Sequence, residues 1–133
     1  MNRYVLLVLP VAALAACVKP LDVPMSDIPK LGSLSEVMRA NETVAGRQWK
    51  QIGEDSYTDE EFAAFKDTGQ RMEALAERGK SFSRGPIFDK HNDTMIAQAK
   101  ALTAAADAKD AKAASGALAS MKQLCKDCHA ATR

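Results

Sequence analysis

The sequence predicts an all-α protein, an antiparallel up-down bundle of four helices. Three observations carry that reading. Apolar residues recur at helical spacing through most of the chain beyond residue 32, and no stretch alternates with period two. The breaks between periodic stretches are short and hold capping and turn residues, so successive helices must fold back on one another. The chain's 133 residues suffice for one domain with a modest core. Only 5% of them are aromatic, so aliphatic side chains, or a group brought in from outside, must fill that core.

The first helix opens at Ser33-Leu34-Ser35-Glu36, an S-x-x-E capping box in which a hydroxyl and a carboxylate satisfy free amide donors. Leu34, Met38, Ala45, Trp49 and Ile52 follow on roughly one face, which predicts a helix reaching Ile52. A second box, Thr58-Asp59-Glu60-Glu61, precedes Phe62, Phe65, Met72, Leu75 and Ala76. Gly79 and then Gly85-Pro86 are expected to stop that helix. The third is expected to begin near Asn92 to Thr94 and to carry Met95, Ile96, Ala99 and Leu102. The fourth follows Asp107 or Asp110, with Leu118, Met121, Leu124, Cys125 and Cys128 on one stripe. The Ala-rich run from Ala97 to Ala119 favours helix and lets helices approach closely.

Ahead of the bundle (residues 32–133) lie two segments of different character. Residues 1–16 read as an export signal: Arg3 supplies a positive start, and Tyr4 to Ala16 is apolar apart from Pro10, too short to span a bilayer. The run ends in Leu14-Ala15-Ala16-Cys17, which resembles the bacterial lipoprotein box and implies a mature chain beginning at lipidated Cys17. Several acyl chains would anchor it stably. Val18 rather than Asp follows that cysteine, which under enterobacterial sorting rules points to the outer membrane. Residues 17–31 carry Pro20, Pro24 and Pro29 with little periodicity, and read as a tether from lipid to domain. Acidic and basic side chains, 17 and 18, nearly cancel, which argues against a nucleic-acid partner.

The chemistry lies near the end, in Cys125-Lys126-Asp127-Cys128-His129. C-x-x-C-H is the attachment motif of c-type haem. Residues three apart share a helix face, so two thiols can reach the two vinyl groups on one edge of a macrocycle. His129 follows directly and can present its imidazole to the iron as proximal ligand. Export agrees with this reading, because c-type haem is attached outside the cytoplasm. Three other readings compete. A redox C-x-x-C wants a helix N-terminus, where the dipole lowers the thiol pKa, whereas this pair closes a helix. A zinc site wants about four ligands, and beyond these three only distant His91 is at hand. A Cys125–Cys128 disulfide would be strained within a helix.

A four-helix chain ending C-x-x-C-H-x-x-x-R resembles the class II cytochromes c, the family of cytochrome c′ and cytochrome c-556. The resemblance covers roughly Leu31 to Arg133, and its specific part is Cys125, Cys128, His129 and Arg133. It implies one covalent haem c on the last helix, with Arg133 near a haem propionate. It also implies a choice at the sixth ligand. In one branch a Met of the first helix ligates the iron, and Met38 stands where that Met would fall. In the other the site is open and binds gases such as NO or CO. Met72, Met95 and Met121 read as core or haem packing, Trp49 as core or haem wall, and His91 as a solvated side chain. Ala45 and Gly46 are small enough to leave room for a macrocycle, and Asn41 lies one turn from Met38. The lipid anchor departs from the soluble members of the family.

The expected function is electron transfer by a lipid-anchored cytochrome on the periplasmic face of a bacterial membrane, with redox proteins as partners. The alternatives are gas binding at an open iron and a non-haem structural lipoprotein. No acid–base pair or nucleophile is visible, so an enzyme is not expected. Both a monomer and a homodimer suit the bundle.

Overall fold

The structure, a computed structural model, describes residues 19–132. The signal, Cys17 and Arg133 lie outside the described residues. The chain forms a helical bundle of α1 (Leu34–Gly46), α2 (Asp59–Lys80), α3 (Pro86–Asp107) and α4 (Ala111–Thr132). Two short 3₁₀ helices, Met25–Lys30 and Trp49–Gln51, precede and follow α1. Among the described residues there is no strand.

The caps hold the helix starts where the local chemistry demands. At α2 the box is complete: Glu61 N donates to Thr58 Oγ1, and Thr58 N donates to the Glu61 carboxylate at 2.8 Å. At α1 it is half formed. Glu36 N donates to Ser33 Oγ, but the Glu36 carboxylate takes its backbone proton from Gly32 N, one residue earlier than the motif implies. The start of α4 falls after Asp110, whose carboxylate accepts from Ala113 N at 2.9 Å.

Three sequence expectations need correction. First, α1 stops at Gly46 instead of reaching Ile52. The chain turns through the 3₁₀ helix and Gly53 (φ 93°), and Gly53 N donates to Ser115 Oγ of α4. Trp49 and Ile52 still pack on the core, but from a turn. Second, α3 starts six residues before Asn92, at Pro86. Gly85, at φ 105°, reverses the chain, and Pro86 opens the helix because its missing N–H would have no partner there. Gly79 is the last but one residue of α2, which ends at Lys80 as expected, and an added Cβ there would sit 3.0 Å from Asn92 Oδ1. Third, the proline-bearing segment is no loose tether over residues 19–31. Ile28 is 1% exposed, and Val23 and Leu31 are buried with it. Proline fixes the backbone without forbidding burial, and here the apolar residues between prolines find the bundle.

Arginines fasten that strap. Arg39 donates to Lys19 O at 2.9 Å, Arg47 pairs with Asp22 at 2.6 Å, and Arg71 reaches both Asp22 and Val23 O. Arg78 donates to Leu31 O and lies over the Phe82 ring. The hydrogen bonds from Arg47 and Arg71 hold the Asp22 carboxyl below its ordinary pKa.

Helices α2 and α3 run antiparallel in register: Lys66 pairs with Asp107, Glu73 with Lys100, and Lys80 with Asp93. Helix α1 packs on α2 and α4 on α3, whereas α1 and α4 share no extended packing. Phe65, Met72, Leu75, Leu102, Leu118 and Met121 fill the middle. Tyr57, Phe62 and Phe65 stack edge to face near the start of α2.

Gly69→Ala would drive a Cβ into Thr103 Oγ1 and to 2.8 Å from Ala99 O, a backbone atom that cannot swing away. Its unfolding free energy in denaturant titration should fall by about 1–3 kcal/mol. Gly116→Ala meets open space on α4 and should gain about 0.5–1 kcal/mol. Truncating the strap at Ile28→Ala should cost about 2–5 kcal/mol in the same titration. A loose tether would lose nothing.

Candidate functional site

The seam between α1 and α4 opens at one end of the bundle into a cleft of about 230 Å³. Leu34 and Met38 of α1 form one wall, and Cys128, His129 and Thr132 of α4 form another. Phe88, near the start of α3, and Arg84, in the turn before it, complete the lining. The end of α4, the start of α1 and the α2–α3 turn therefore meet at one end of the bundle.

Helical periodicity sets each side chain's place. Leu34 and Met38 are four apart on α1 and share a face. Val37 and Ala40 turn fully into the core beside them, leaving Met38 half-buried at the edge. On α4, Leu118 and Met121 are buried, and Leu124 and Cys125 pack partly against the core. Cys128 comes one turn later, half-buried at the cleft, and His129 is exposed at its rim. Thr132 donates to Cys128 O at 2.7 Å, holding the last turn helical through the motif. Phe88, 3% exposed, gives the cleft an apolar floor.

The two cysteines are free thiols. Burial pushes the Cys125 thiol above its ordinary pKa, and neighbouring Cys128 adds to the shift. That is the reverse of an activated redox cysteine, and both thiols sit toward the negative end of the helix dipole. Among the described residues no three His, Cys, Asp or Glu side chains gather into a metal cage. A haem makes no such demand. Its macrocycle supplies four nitrogens to the iron, and the protein need add only one or two axial donors. An imidazole and a thioether lining one apolar cleft, beside an i, i+3 thiol pair, suit that demand. At about 230 Å³ the cleft is below the usual size of a site that holds a ligand by shape alone, about 300–1,000 Å³.

Of the residues expected at the site, Met38, Cys128 and His129 line the cleft and Cys125 lies one turn before Cys128 on α4. Cys17 and Arg133 lie outside the described residues. Ala45 and Gly46 are near the far end of α1 and line no part of the cleft, because the cleft-side end of α1 is its first turn and a half. Trp49 packs on the core beyond α1 and is no wall of the cleft. Met72 and Met121 are fully buried core. His91 keeps its Nδ1 2.8 Å from Ile87 O on its own helix. Asn41, one turn beyond Met38, has a buried Oδ1 with no hydrogen-bond partner among the described residues. Arg84 and Phe88 were missed: Arg84 sits outside any helix, and Phe88 precedes the predicted start of α3. The Gly85-Pro86 pair, taken as a helix start, would have signalled both.

Comparison with protein-family models, curated proteins and solved structures gives no match.

In the haem-free chain, alkylation of Cys125 by iodoacetamide should still be accelerating at pH 9. An unperturbed thiol reaches half ionisation near about pH 8.5, and burial moves Cys125 upward from its ordinary value. Peptide mass mapping after timed quenching reads the rate. A plateau below pH 8 would indicate an activated thiolate and restore the redox reading.

Proposed function

We propose that this chain is a c-type cytochrome, carrying one haem c in the cleft between α1 and α4 and transferring electrons at a membrane surface. The observation that supports it best is the meeting of Cys128 and His129 with Met38 in one cleft, although 90 or more residues of chain separate them. When bound, the haem supplies a one-electron iron couple. Cys125 and Cys128 hold it as thioethers on one face of α4, which prevents its loss. His129 and Met38 would supply the iron with a nitrogen and a sulfur donor, a pair that raises the potential. Leu34 and Phe88 would give the haem apolar walls. This arrangement is that of the low-spin branch of the class II cytochromes c, which the C-terminal motif resembles.

The place of action follows from the N-terminus. Residues 1–16 would act as an export signal and Cys17 would carry the lipid, on the periplasmic face of a bacterial membrane. Lys19, two residues later, is already held by Arg39, so the anchored bundle stays close to the lipid surface. No described helix is long and apolar enough to cross a membrane. The partners are redox proteins working at that surface.

Absorption spectra of the full chain, matured with the haem-attachment machinery, test the reading. A sharp low-spin reduced spectrum, a sulfur-to-iron band in the far red and indifference to carbon monoxide are expected. Met38→Ala should turn the iron high-spin and open it to carbon monoxide. If the wild-type protein is itself high-spin and carbon monoxide shifts its spectrum, the sixth site is open and gas binding replaces electron transfer. If no covalent haem is found, the chain is a structural lipoprotein.

A further inference from the structure

The described residues include five arginines, and four of them have partners. Arg39 and Arg78 donate to backbone carbonyls of the strap, and Arg47 and Arg71 pair with aspartates. Arg84 differs. It is exposed in the turn between α2 and α3, has no carboxylate or carbonyl partner among the described residues, and lines the cleft beside Cys128, His129 and Thr132. The turn itself is defined by Gly85 at φ 105° and Pro86, with Gly85 N donating to Ser83 Oγ at 3.1 Å. The backbone under Arg84 is thereby directed, although its side chain is solvated.

None of the described carboxylates makes an ion pair or hydrogen bond with Arg84: Asp93 pairs with Lys80, and Asp127 accepts from Gln123 on α4. A guanidinium at the mouth of an apolar cleft, with no ion-pair partner among the described residues, is matched to an anionic group carried by the occupant. A haem held at its vinyl edge by Cys125 and Cys128 carries two propionate carboxylates on its remaining edge. Arg pairs with carboxylate through a planar fork of donors, which fixes direction as well as charge.

We propose that Arg84 anchors a propionate of the haem, fixing how the macrocycle lies in the cleft. This rests on the cytochrome reading above. It assigns the propionate partner to the α2–α3 turn, in addition to or instead of Arg133. Arg84 acts as a positioning residue: attachment is covalent through α4, so losing Arg84 leaves the haem in place and releases only its outer edge.

The test uses the haem-loaded full chain as wild type, Arg84→Ala and Arg84→Lys. Intact mass reports covalent haem, absorption reports axial ligation, and the midpoint potential is followed from pH 4 to pH 9. All three proteins are expected to carry haem with the same ligation. Removing a cation from beside a carboxylate raises that carboxylate's pKa. The pH-dependent step of the potential should therefore move upward by about one unit or more in Arg84→Ala, and return toward wild type in Arg84→Lys. A pH profile for Arg84→Ala that superimposes on wild type overturns the proposal, as does an equal shift in both variants. Absence of covalent haem from all three chains fails the cytochrome reading itself, and intact mass distinguishes that outcome from the first two.

Discussion

Helices α2 and α3 can lie against one another because Gly69 has no side chain where Ala99 O and Thr103 would meet it. That close approach sets the frame for the rest. With the pair in antiparallel register, α1 can only pack on the flank of α2 and α4 only on the flank of α3. The two outer helices are then held by different neighbours, and nothing draws them together along their length. The seam between them opens into the cleft at the end where the C-x-x-C-H motif lies.

Burial along α4 grades from core to solvent, and this gradient separates the two thiols' environments. Met121 is fully enclosed, Cys125 is partly packed with its thiol kept protonated by desolvation, and His129 is exposed at the rim. A thiol that is protonated and placed toward the C-terminal end of a helix is a poor redox nucleophile.

The N-terminal strap ties this site to the proposed anchor. Arg39, Arg47, Arg71 and Arg78 fasten residues 19–31 along α1 and α2, and individually such exposed contacts contribute little. Burial of Ile28 and its neighbours stabilises the packed strap more than these contacts do. Together they make the segment part of the bundle, so a lipid at Cys17 would hold the cleft at a short distance from the membrane and limit its range of orientations.

What was legible in the sequence was whatever depends on near neighbours. Helical periodicity, the Thr58 and Ser33 caps and the order of Cys125, Cys128 and His129 are local, because hydrogen bonds and helix faces reach only three or four residues. The helical class and the motif's face followed from them. Helix ends were less legible: Gly46 ends α1 partly because Gly53 reaches Ser115 of α4, a contact 62 residues away in sequence. Only the tertiary structure decided that a proline-bearing segment is packed, that Arg84 stands at the mouth of the cleft, and which residues beside the expected Met38 line it. Each of these depends on which distant surfaces bury one another, and burial is a property of the assembled bundle, not of any stretch of chain within it.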